Sequence, residues 1–307
     1  MSIGRSLRTA VRAGSVLLEE SARRVAEFVM SRLAEDGGFK GRAEQSDLYY
    51  TSFALTVLNG LGEDFPSRRV ESFLRKFGNG SGLDLVHAAC LARCWNELGE
   101  RELGEAFRNE LAERILSFRS ADGGYSLEAG ADNCSAYASF LALAAIQDLG
   151  LKLERCGELM EALEGLRLPE GGYSNDRSAA QATVPSTAAA LVVLSELGAP
   201  VDQASANWLL SQLHPAGGFC AVPRAPFPDL LSTATALHAL RRVGVSLESI
   251  KERCLDFLNS LWSPEGGFCG VWGDRVIDCE YTFYGLVALG NLCTEDPGEA
   301  GGSVRNA

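Results

Sequence analysis

The sequence predicts an all-α protein in which six helical hairpins close into a ring. Three observations predict it. A Gly-Gly-aromatic triplet recurs along the chain, each triplet separates two helical patterns, and the last helical pattern is among the most apolar. The triplets are Gly37-Gly38-Phe39, Gly123-Gly124-Tyr125, Gly171-Gly172-Tyr173, Gly217-Gly218-Phe219 and Gly266-Gly267-Phe268, with a degraded copy at Gly80-Ser81-Gly82-Leu83. Successive copies start 43 to 49 residues apart. Repetition on a scale of about 20–50 residues marks one supersecondary unit stacked on copies of itself.

Taken in chain order, the first element is an Arg-rich amphipathic stretch carrying Arg5, Arg8 and Arg12. Its apolar island, Val16-Leu17-Leu18, is too short for a signal-peptide core. The pattern runs on to Leu33 and reads as the first helix of the fold. Each unit then opens with a charged amphipathic helix, such as the one holding Leu255, Leu258 and Trp262 on one face. After the turn comes a more apolar helix. Four of the first five end in Leu-Gly and the other in Val-Gly, a stop with glycine in the left-handed region. Ala, Ser and Thr crowd the start of these apolar helices, so neighbours can approach closely there. They are assigned to an inner layer and the charged helices to an outer one, with little strand. An open stack would need polar capping units at both ends. The last inner helix, "EYTFYGLVALGNL", is strongly apolar, so unit six is expected to close on unit one. Residues 1–294 form one domain in this reading, and 295–307 a mobile tail.

Composition narrows the function. The chain has 307 residues, 46% apolar and 22% charged, with a formal charge of −12. Such acidity speaks against nucleic acid as a partner. No apolar run approaches the roughly 18 residues of a membrane span. Nine cysteines, without a Cys-x-x-Cys, read as buried thiols of a reducing compartment, hence a cytoplasmic protein.

The densest chemistry lies in "GGFCGVWGDRVIDCEYT", with Arg275, Asp278, Cys279, Glu280 and Tyr281. Two readings stay open. The segment is a helix start with polar caps, since Asp caps helices and an acidic first turn is favourable. Alternatively it is a site for a cation and an anion, because a helix N-terminus attracts phosphate. Asp47, Asp84 and Asp229 stand at equivalent helix starts, and the last two read as caps. His87 shares the register of Tyr50 and Tyr281. Tyr49, Tyr50, His87, Tyr137 and Tyr281 are expected to line an axial cavity. Arg42 and Arg224 occupy loops equivalent to that of Arg275.

These repeats, with their Gly-Gly-Phe turns and Leu-Gly helix ends, resemble the β subunits of protein prenyltransferases and the squalene–hopene cyclases, which are α/α toroids. The likeness spans roughly residues 17–293. The cyclase reading lacks its Asp-x-Asp-Asp acid cluster. The transferase likeness implies an isoprenoid diphosphate in the cavity, a divalent metal, prenyl transfer and a helical partner subunit. By that likeness Gly266-Gly267-Phe268-Cys269-Gly270 is the turn, Arg275 and Tyr281 meet the diphosphate, and Asp278 binds metal. Glu280 stands where the family has its Cys, and Tyr50 where it has its His, so the usual Asp/Cys/His zinc triad is incomplete. Asp278, Glu280 and Asp47 instead offer oxygens that suit Mg²⁺ as well as Zn²⁺. Asp278 and Glu280 are the catalytic candidates, and Cys279, rotated about 100° away, a buried thiol. The alternatives are an unusual terpene cyclase, with Asp278 or Glu280 as acid, and a non-catalytic toroid that binds a lipid or protein.

Overall fold

A computed structural model describes residues 1–99 and 103–293. The expected tail, 295–307, and Thr294 lie outside the described residues. Thirteen helices are described: α1 Ile3–Leu17, α2 Ser21–Ser31, α3 Leu48–Leu61, α4 Ser67–Arg75, α5 Leu85–Leu98, α6 Glu105–Leu116, α7 Ala136–Asp148, α8 Cys156–Glu164, α9 Val184–Glu196, α10 Gln203–Ser211, α11 Leu230–Arg242, α12 Lys251–Leu261 and α13 Cys279–Cys293. Strand is confined to two-residue pairs, β1 Phe39–Lys40 with β2 Ser46–Asp47, and β3 Trp262–Ser263 with β4 Gly267–Phe268.

The odd-numbered helices from α3 to α13 are the inner layer. They touch one another in chain order, and α13 also packs on α3. The even-numbered helices lie outside them. The turns explain this arrangement. The first glycine of each intact triplet has φ between +84° and +99°, open to glycine and strained for other residues. A side chain on Gly37 or Gly217 would also strike the backbone of the next unit's outer helix, at Arg69 or Arg253. Gly266 meets Arg24 of α2 in the same way, so the sixth turn rests on the first outer helix.

Each turn's aromatic residue is buried, and its N–H is held by a hydroxyl of the following inner helix. Phe39 donates to Thr51, Tyr125 to Ser139, Tyr173 to Thr187, Phe219 to Thr233 and Phe268 to Thr282. The hydroxyls early in the inner helices therefore anchor the turns, beyond leaving room for neighbours. At the helix starts, Asp47, Asp84, Ser135, Thr183, Asp229 and Asp278 each accept the N–H three residues on.

One expectation is corrected. The N-terminal pattern is two helices, broken where Glu19 takes φ 46°. Helix α1 lies across the C-terminal ends of the inner helices. Ile3 N–H reaches Gln147 of α7, Arg8 pairs with Glu97 of α5, and Arg242 of α11 reaches the Met1 carbonyl. Glu97 is buried and also receives the amide of Asn59 at 2.7 Å. Against α13 the approach is close enough to require glycine: a Cβ on Gly290 would sit 1.9 Å from the Ala10 carbonyl oxygen. Gly290→Ala is expected to destabilise the protein by about 2 kcal/mol, overpacking outweighing the better helix propensity. Gly157 in α8 faces open space, so Gly157→Ala is expected to stabilise by up to about 1 kcal/mol. Thermal denaturation of the two variants should give shifts of opposite sign. All nine cysteines are free thiols. Among the described residues, no helix is long and apolar enough to cross a membrane.

Candidate active site

The inner helices enclose a cavity of about 440 Å³. Its upper wall, near the turns, includes Tyr49, Tyr137, Asn175 and Ser186. Phe53, Phe140, Phe283 and Tyr284 form an aromatic belt below. Small residues such as Ala89, Ala144, Ala188 and Ala234 leave the space between them. The floor carries Leu7 of α1, Arg93, Asp148 and His238. Aromatic walls with a few placed polar groups are the usual make-up of a small-molecule site.

Of the five side chains expected along the axis, Tyr49 and Tyr137 line this cavity, and Tyr50, His87 and Tyr281 do not. His87 folds back onto the cap of its own helix, with Nδ1 2.8 Å from Asp84 Oδ1, and is 43% exposed. Tyr50 and Tyr281 pack instead over glycines of their own turns. A Cβ on Gly41 would overlap the Tyr50 ring, and one on Gly270 the Tyr281 ring. Where the turn has a larger residue at this place, Leu127, Asn175 or Ala221, the helix position is small: Ala138, Ser186 or Ser232. A Gly-Gly-Phe-x-Gly turn followed by Asp-x-x-Tyr is thus a steric exchange, legible from the sequence alone.

Units one and six meet at Arg42. Its Nε donates to Asp278 Oδ2 at 2.9 Å and its Nη2 to Asp274 Oδ2 at 3.0 Å. The guanidinium carbon lies 5.5 Å from the centre of the Tyr281 ring. The sequence pointed to Arg275 for this place, yet Arg275 is exposed on its loop, as is Arg224 on the equivalent one. Asp278 is only 1% exposed, and its other oxygen caps α13 through the Tyr281 N–H at 2.8 Å. Glu280 turns toward the cavity side and accepts from the Tyr49 hydroxyl at 2.7 Å. Burial raises the Glu280 pKa, with Asp278's charge adding to it, while the Tyr49 hydrogen bond acts the other way. Cys279 is fully buried, which pushes its thiol up to about 12 and makes it a poor thiolate donor.

The oxygens expected to share a metal do not converge. Asp278 is taken by Arg42 and its own helix, Asp47 by the Tyr50 N–H, and Glu280 by Tyr49. Among the described residues, no three His, Cys, Asp or Glu side chains are grouped as a metal would require. This donor set does not fit a divalent ion while a guanidinium occupies the Asp278 carboxylate.

The comparisons with known proteins agree with the fold. No curated protein matches in sequence. Among solved structures, the type II terpene cyclase MstE from Scytonema superposes with a TM-score of 0.64 at 14% identity, covering 91% of this chain and 98% of its own. Protein geranylgeranyltransferase-I of Candida albicans, complexed with GGPP, gives 0.62 at 16% identity, covering 81% of this chain and 85% of its own. A glycosidase gives 0.58 at 10% identity, covering 91% and 96%, so the likeness carries the fold and not one chemistry. The family model of the prenyltransferase alpha-alpha toroid domain matches residues 9–147, 89–199 and 186–297, and the chain belongs to that family.

Proposed function

We propose that the protein is an isoprenoid-converting enzyme. It binds an isoprenoid diphosphate with the chain in the central cavity and the diphosphate at the Arg42–Tyr281 rim, and it transfers the prenyl group to an acceptor. The observation that supports this most is the aromatic belt of Phe53, Phe140, Phe283 and Tyr284, beneath a rim that holds an arginine in an otherwise acidic protein. Aromatic faces stabilise the allylic cation that forms as diphosphate departs. Arg42 and the Tyr281 hydroxyl are the groups near the rim able to hydrogen-bond the leaving oxygens. Two structural neighbours lend support: the geranylgeranyltransferase is complexed with GGPP, and another MstE structure holds geranylgeranyl dihydroxybenzoate.

A second reading has its own observation. Glu280 is half-buried, has a raised pKa and reaches the cavity through Tyr49. A carboxylic acid so placed can start a cyclisation by protonating an alkene, which leaves the diphosphate ester intact. The experiment is incubation with farnesyl and geranylgeranyl diphosphates, followed by phosphate release and mass spectrometry of the products. Pyrophosphate together with a prenylated acceptor is expected. A cyclised product that keeps its diphosphate selects the second reading, and the absence of both binding and turnover defeats the two together.

A further inference from the structure

The floor of the cavity holds a group that neither reading uses. His238 lies on the third turn of α11, lines the cavity and is 5% exposed. Neither ring nitrogen makes a well-formed hydrogen bond, although the Asn291 side chain on α13 lies close enough to act on the ring. Several other buried polar atoms lack partners, among them Trp95 Nε1 and Tyr125 Oη, but of all these residues only His238 lines the cavity, among the described residues. A buried, unpaired donor and acceptor costs roughly 1–3 kcal/mol, so such groups are normally satisfied by something.

Most of the neighbours are committed elsewhere. Thr235, one turn earlier and also on the cavity wall, donates to the Leu231 carbonyl at 2.8 Å. Asn291 gives its amide to the Val287 carbonyl at 2.8 Å, and its side chain still bears on one imidazole nitrogen, so the other is left without a partner. Arg242, one turn later, pairs with Glu196 and reaches Met1 O. Arg93 and Asp148, the other polar groups of the floor, bond to each other. Burial and the Arg242 charge lower the His238 pKa to about 4, against the opposing pull of the Asn291 side chain, so the ring is neutral near pH 7. A neutral imidazole offers one donor and one acceptor, which suits a hydroxyl or a carbonyl and does not suit a hydrocarbon end.

We propose that the cavity takes an isoprenoid chain bearing a hydroxyl or carbonyl at the end far from its head group, and that His238 recognises that oxygen. This rests on the reading of the cavity as an isoprenoid site and adds the chemical class of the chain's distal end. Satisfying His238 compensates for burying one hydroxyl. A site built to hydrogen-bond a ligand also discriminates against the analogue that lacks the group.

The test uses the whole protein and two probes, farnesol and ω-hydroxyfarnesol, titrated calorimetrically. The wild type is expected to bind ω-hydroxyfarnesol about tenfold more tightly than farnesol. His238→Phe should erase or reverse that preference while still binding farnesol. A second measurement needs no variant: the imidazole nitrogen resonances of His238 in isotope-labelled wild type should shift with ω-hydroxyfarnesol and stay in place with farnesol. Binding of farnesol with no gain from the hydroxyl overturns the inference and leaves the cavity reading intact; the imidazole is then satisfied by water alone. A preference that survives in His238→Phe, with no resonance shift, removes His238 from the role. Failure of both probes to bind overturns inference and cavity reading alike.

Discussion

Asp148→Ala is expected to lower stability by about 3–5 kcal/mol, the largest single effect in the protein. Asp148 is 2% exposed at the end of α7, where it accepts from Arg93 and, at 3.1 Å, from Asn96. Removing the carboxylate leaves the Arg93 guanidinium, itself largely buried, beside an apolar cavity without its bonded partner and with only the more distant charge of Glu97. Breaking one side of a buried pair costs far more than replacing both sides by apolar groups. The double variant Asp148→Leu/Arg93→Leu should therefore recover most of the loss. For a chain of this size the single variant should melt roughly 10 °C below wild type. A fall under about 2 °C, by calorimetry or circular dichroism, would show that the pair is hydrated and contributes little.

The second large effect belongs to Arg42. Arg42→Ala is expected to cost about 2 kcal/mol of stability, less than a fully buried pair because the arginine side chain is 43% exposed. The loss arises because Asp278 stays buried, still capping α13, with its second oxygen unpaired. The same variant should weaken farnesyl diphosphate binding by about a hundredfold or more, as is usual when one partner of a charged hydrogen-bonded pair is truncated. Arg42→Ala/Asp278→Asn separates the two roles. Without the buried charge it should regain stability, yet it should remain defective in diphosphate binding. If the double variant recovers both, Arg42 is only a clasp between units one and six, and the diphosphate is held elsewhere.

Much of the fold was legible because its determinants are local and repeated. A left-handed glycine, an aromatic residue two places on and a hydroxyl 12 to 14 residues further make one unit, and five of the six units spell it out. The caps were legible for the same reason: Ser135 and Thr183 stand where other units have Asp, which is the interchange that capping allows. The site was less legible because its contacts join distant parts of the chain. Arg42 and Asp278 are 236 residues apart, whereas Arg275, three residues from Asp278, suggested itself by nearness alone. Tyr50 and Tyr281 were expected on the axis from their register, but the missing Cβ of Gly41 and Gly270 lets their rings lie over the turns. His238 read as a packed mid-helix histidine. Its burial fits that reading, but its place on the cavity wall depends on six other helices.

The packing of α13 on both α3 and α1 has a consequence for how the chain is made. Helix α3 packs on α13, an inner-layer neighbour whose synthesis begins only when residue 279 is reached, more than 200 residues after α3 ends at residue 61. At about 5–20 residues per second that flank waits on the order of tens of seconds. Helix α1 waits longer still for the surface shaped by Gly290. During this interval the nascent chain presents two apolar edges at once, one at each side of the missing helix. Native contacts of such long sequence separation slow folding, and exposed edges invite association. A chain that stops before residue 279 would therefore leave the flanks of α3 and α1 that α13 covers without their partner.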